Sequence, residues 1–141
     1  MTRLPADTIE AEWVYTGPDF ARAHPLARRL GAVWLIVLWV GLQLVVACFS
    51  LVDLVGRLIG AFSVIYVFAA IFLLLLILND LLALFGLVTR NTVAWYPVWV
   101  SLICGALFTI PLMFYWADGL RPNLIYRHRF GRLVHPAGGT A

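Results

Sequence analysis

Between Gly31 and Ala117 the chain carries only four charged residues, Asp53, Arg57, Asp80 and Arg90. A segment that long and that poor in charge has no polar face to turn toward water. Soluble domains devote about a quarter of their residues to charge. Here 12% are charged and 63% hydrophobic, with a mean hydropathy of +0.95. The pattern predicts an all-α integral membrane bundle with three parts. A polar, amphipathic N-terminal arm covers 1–29, a transmembrane domain 30–117 and a basic tail 118–141. No room remains for a separate soluble catalytic domain.

Three spans are expected, at about 30–53, 57–79 and 93–117. Each is long enough for a hydrocarbon core of about 30 Å at about 1.5 Å per residue. Arg28 and Arg29 abut the first. Asp53 and Arg57, four apart, bracket a tight connection and suit a helical-turn pair. The second span is free of charge over 58–78 but then meets Asn79-Asp80, followed by another apolar stretch at 81–88. An unbroken helix over 58–88 would measure about 46 Å and overrun the bilayer. Either Asp80 therefore ends the span and 81–88 lies at the interface or re-enters, or the span slides toward Val88 and Asp80 is pulled into lipid. The third span is flanked by Trp95, Tyr96 and Trp99 at one end and by Phe114, Tyr115 and Trp116 at the other. These read as the two aromatic belts of a bilayer. Pro97 falls in its first turn, and Pro111 predicts a kink.

Every basic residue is Arg. Arg22, Arg28 and Arg29 precede the first span, and Arg121, Arg127, Arg129 and Arg132 follow the third. An odd number of spans divides these clusters between the two sides, so the positive-inside rule is nearly balanced. An even number would place both in the cytoplasm, but no fourth full span is visible. The pair next to the first span favours a cytoplasmic N-terminus in a bacterial inner membrane.

The arm holds Trp13, Tyr15 and Phe20 and suits either a membrane surface or a solvated linker, and Asp7 with Glu10 could cap a short helix there. Arg clusters beside apolar spans point to anionic headgroups and bound lipids rather than nucleic acid. His24, His128 and His135 lie only in the flanks, so no intramembrane haem ligand is available. No metal-ligand spacing, nucleophile–base pair or Walker loop occurs. No cofactor and no enzymatic activity are expected. Cys48 and Cys104 read as packing residues. Val45-Val46-Ala47-Cys48 resembles a lipobox, but the leader is too long and more spans follow.

Two signals remain. Asn79 and Asp80 form the candidate intramembrane polar site. They either end the second span among headgroups or bring an acid into the hydrocarbon, where acids serve ion paths or partner helices. Small residues form candidate packing faces: Gly56, Gly60 and Ser63 near the second span, and Ser101, Gly105 and Thr109 in the third. Arg28, Arg29, Trp95, Tyr96, Trp99, Tyr115, Trp116, Arg127 and Arg129 are candidate interface anchors. The expectation is a non-catalytic accessory, assembly or stabilising subunit packed against other membrane subunits. The alternative is a homo-oligomeric, holin-like pore or small transporter using Asp80.

Overall fold

A computed structural model describes residues 11–133. The capping expectation at Asp7 and Glu10, and His135, lie outside the described residues. The order is β1 (Ala11–Tyr15), α1 (Pro18–Ala23), a 3-10 turn (Pro25–Ala27), α2 (Val33–Gly60) and α3 (Val64–Thr89). A second 3-10 turn (Thr92–Ala94), α4 (Trp95–Cys104), α5 (Ala106–Asp118), α6 (Leu120–Arg127) and β2 (Arg129–Leu133) complete it. The fold is all-α apart from one two-stranded ribbon.

Among the described residues, helices α2 and α3 are the two that are long and apolar enough to cross a membrane. The turn between them falls later than the sequence suggests. Asp53 and Arg57 do not bracket a connection; both lie inside α2, bonded at 2.8 Å one turn apart. That pairing supports the helix instead of ending it. The chain leaves helical geometry at Ala61, which is extended, and Ser63 then precedes α3 with its carbonyl accepting from the amides of Tyr66 and Val67.

Segment 81–88 neither lies apart nor re-enters: it is the last two turns of α3. Nothing between Asn79 and Val88 breaks a helix, and Asp80 has a partner that lets it stay in one. Helix α3 ends at Arg90, in left-handed geometry (φ 56°), with the Asn91 amide donating to the Gly86 carbonyl at 2.9 Å. The bond closes a Schellman-type end. The Asn91 side chain then accepts from the Val93 amide, starting the next turn.

Segment 93–117 is not one helix. It divides at Gly105 into α4 and α5, which run in opposite directions. The Trp116 ring stacks on the Trp95 ring, 5.1 Å between centroids and 21° between planes. In a continuous helix these residues would stand about 30 Å apart. The two aromatic clusters are therefore one cluster at one end, not two opposite belts. Helix α4 measures about 15 Å and α5 about 20 Å, so each is too short to cross a bilayer core.

Gly105 sits against Trp39, and a Cβ there would overlap that indole. Trp39 is only six residues into α2, about 9 Å along its axis. The tip of the α4–α5 hairpin thus stays beside the half of α2 and α3 nearest both chain flanks. The core lies there too: Val33, Ile36 and Val40 of α2, Ala83 and Leu87 of α3, and Val98 and Leu102 of α4 are fully buried. Between Cys48 and Asn79 no residue is buried.

The flanks meet at the same end. Strands β1 and β2 pair antiparallel, with Ala11 opposite Leu133 and Tyr15 opposite Arg129. Helix α6 packs beneath them, its Leu124, Ile125 and Tyr126 buried. Arg22, Arg28, Arg29, Arg90, Arg121, Arg127 and Arg129 all belong to this end; Arg57 belongs to the other.

Candidate functional site

Asp80 and Asn79 occupy the contact between α3 and α4. Asp80 is nine residues from the C-terminus of α3, about 14 Å along the axis. Its side chain is fully buried. Ser101 Oγ donates to Asp80 Oδ1 at 2.5 Å. Asn79 Nδ2 donates to Ser101 Oγ and to the Pro97 carbonyl, each at 3.0 Å. One amide and one hydroxyl thus tie the long helix to the first leg of the hairpin. The spacing of Pro97 and Ser101 places both acceptors on one face of α4. Asp80 Oδ2 has no hydrogen-bond partner among the described residues.

A second polar tie closes the hairpin tip. A helix break at Gly105 leaves carbonyls of α4 without their next-turn amides, which is costly away from water. Thr109 Oγ1, on the second leg, donates to the Leu102 carbonyl at 2.6 Å, and the Gly105 amide donates to it at 3.2 Å. Ser101, Gly105 and Thr109 therefore do not share one helix face: Ser101 meets Asp80 of α3, Gly105 meets Trp39 of α2 and Thr109 turns back on the Leu102 carbonyl. At Gly56 and Gly60 a Cβ would meet nothing within 4 Å. Ser63 stands at the start of α3, half-buried, away from both.

The arginine end is held by four devices. Trp116 Nε1 donates to the Trp95 carbonyl at 3.3 Å, and Tyr126 leans on Trp116 at 5.0 Å. The Arg127 guanidinium lies 4.7 Å over the Trp95 ring, a cation–π contact. The Tyr126 hydroxyl donates to the Leu87 carbonyl at 2.9 Å, across from α6 to α3. Burial pushes the Tyr126 phenol well above the usual tyrosine range. Arg90 donates from Nη1 to the Ala27 carbonyl at 2.7 Å and from Nη2 to the Arg28 carbonyl at 3.0 Å. It thereby clamps the segment that enters α2 against the end of α3.

Of the residues picked as interface anchors, Trp116 is fully buried and Trp95, Trp99 and Tyr115 are half-buried. Tyr96 is the most exposed of them at 78%. Arg28 and Arg29 are exposed, and Arg127 and Arg129 are half-buried. Sequence reasoning missed the Arg90 clamp, naming Arg90 only as one of the four charges in the apolar region. It also missed Gly86, where a Cβ would press on the Ala94 backbone at 2.7 Å. A glycine one turn before a polar helix end was the available signal. Asn123 was missed as well; its Nδ2 donates to the Ala117 and Gly119 carbonyls at 2.7 and 3.0 Å and caps α5.

Among the described residues no group of three His, Cys, Asp or Glu side chains converges as a metal site would require. No family model, no curated protein and no solved structure matches the chain.

Proposed function

We propose that the chain is a membrane protein with two crossing helices and one re-entrant hairpin, and that it serves as a non-catalytic accessory or stabilising subunit. Only 17% and 11% of the most apolar windows of α2 and α3 are buried. Such exposed apolar surface suits lipid, not water. A hairpin that enters and leaves on one side needs protein around its backbone groups, and the Asn79 bond to the Pro97 carbonyl and the Thr109 bond to the Leu102 carbonyl supply part of that.

The two-crossing count also removes the balance between arginine clusters. With both flanks at one end, the arginines there face only the paired Arg57 at the other. The positive-inside rule then favours both termini in the cytoplasm, in the plasma membrane of a bacterium.

The observation that carries the subunit reading is the bare half of the α2–α3 pair. From residue 48 to residue 79 nothing is buried, and Gly56 and Gly60 offer a close-approach face that none of the described residues uses. The pore alternative is less well supported. It needs Asp80 on a path, and Asp80 is fully buried against α4 with its near oxygen taken. The test is mild-detergent extraction followed by light-scattering mass measurement. The subunit reading expects a stable heteromeric species well above the 15.8 kDa chain. A lone copy overturns it, and a homo-oligomer favours the pore.

A further inference from the structure

We infer that the cleft lined by Arg28, Arg29, Arg90 and Arg121 binds the phosphate of an anionic phospholipid headgroup. The inference rests on the membrane reading above and names one of the partners. The cleft has a volume of about 580 Å³, with Leu30, Gly31 and Trp34 completing its walls. Among the described residues the one ion pair is Arg57 with Asp53, so these four guanidiniums share a cleft with no carboxylate paired to any of them. Like charges gathered this way repel, and an anion among them relieves it. Arginine forks match phosphate oxygens bidentately.

One of the four guanidiniums is held by hydrogen bonds, and a second has its space cleared by a glycine. Arg90 is fixed by the Ala27 and Arg28 carbonyls. Arg121 lies directly over Gly31, where a Cβ would collide with its guanidinium. Gly31 also has φ +56°, so both conformation and space demand glycine there. The chain thus gives up a side chain at the mouth of α2 to seat an arginine. Arg28 and Arg29 are exposed and complete the ring. The N-terminus of α2 opens beside them and adds positive potential.

The phosphate belongs to a lipid and not to a soluble anion because of what lies below the cleft. Trp34, Leu38, Leu42 and Val45 follow helical spacing down one face of α2, each more than half exposed. A headgroup in the cleft would lay an acyl chain along this stripe.

The test is native mass spectrometry of the full chain in detergent with phosphatidylglycerol, phosphatidylcholine or inorganic phosphate. Phosphatidylglycerol should be retained at least tenfold over phosphatidylcholine. The R28Q/R29Q/R121Q variant should lose that preference, and R29Q alone, an exposed site that keeps the fold, should lower it about fivefold. R57Q should leave it unchanged. Equal retention of the two lipids, an unaltered preference in R29Q and the triple variant, or displacement by millimolar inorganic phosphate would each overturn the proposal. The membrane reading fails separately, if the chain is released from vesicles by alkaline carbonate.

Discussion

The indole of Trp116 lies on the indole of Trp95, 5.1 Å away, although 21 residues separate them in sequence. That contact makes the third apolar segment a hairpin and brings both chain flanks to one end. The stack is braced from outside by Arg127 and Tyr126. Replacing Trp116 with Ala removes a fully buried side chain and should cost about 3–5 kcal/mol. Trp116→Phe should cost less, since a ring can still stack. Thermal unfolding in detergent, followed by tryptophan fluorescence, would rank the two variants; equal losses would mean that stacking contributes nothing.

The Asp80–Ser101 bond predicts a smaller and more selective effect. Interhelical hydrogen bonds in membranes are worth about 0.6 kcal/mol on average and up to about 1.7. Ser101→Ala removes this bond and the one from Asn79 and should cost about 1–3 kcal/mol. Asp80→Asn keeps an acceptor oxygen for Ser101 and should be near neutral, whereas Asp80→Ala leaves the Ser101 hydroxyl without it. A thermal-shift series showing Asp80→Asn as damaging as Asp80→Ala would mean the carboxylate does more than accept one bond.

Glycines separate internal packing from outward-facing surface. Gly86→Ala presses on the Ala94 backbone and should destabilise by about 1–3 kcal/mol. Gly56→Ala and Gly60→Ala meet open space and should leave the isolated chain as stable or slightly more so, since Ala exceeds Gly in helix propensity by about 1 kcal/mol. Should these two substitutions dissociate a larger assembly while sparing monomer stability, the open face is the contact with a partner. Destabilisation of the isolated chain by Gly60→Ala would contradict the packing described.

Tyr126 gives the fold an alkaline limit. Its phenol is raised by burial, the largest cause, in the folded chain. Ionisation is therefore easier unfolded than folded. The neutral phenol's contribution is complete below the ordinary tyrosine value of about 10 and declines as pH rises above it. Midpoints of thermal unfolding should fall from about pH 10 upward, and Tyr126→Phe should flatten that slope while losing the bond to Leu87, about 1 kcal/mol. An unchanged slope in Tyr126→Phe would assign the alkaline limit to another group.

Hydropathy and charge revealed where the two long helices lie, because a run free of charge needs no tertiary information to be read. The same signal hid the hairpin. Cys104, Gly105 and Ala106 offer no charged or strongly polar residue at the reversal, so two short, mostly apolar helices read as one span. The aromatic clusters then fitted a bilayer thickness by coincidence of length. The balanced arginines were the clue, since an even number of crossings would have gathered them. Asp80 was legible as unusual, but its partner lies 21 residues away in sequence and depends on the fold-back. Likewise the Asp53–Arg57 pair was legible, while its place inside α2 was not, since an ion pair fits a turn and a helix equally.

The central claim is that the chain crosses twice and its hairpin returns to the side it entered. Reporter fusions at both termini, one active only in the cytoplasm and one only outside, test it directly in intact cells. The account predicts that the N- and C-terminal fusions report the same side, the cytoplasm, and that a fusion inserted at Phe62 reports the opposite side. N- and C-terminal fusions on opposite sides would contradict it and restore a third span.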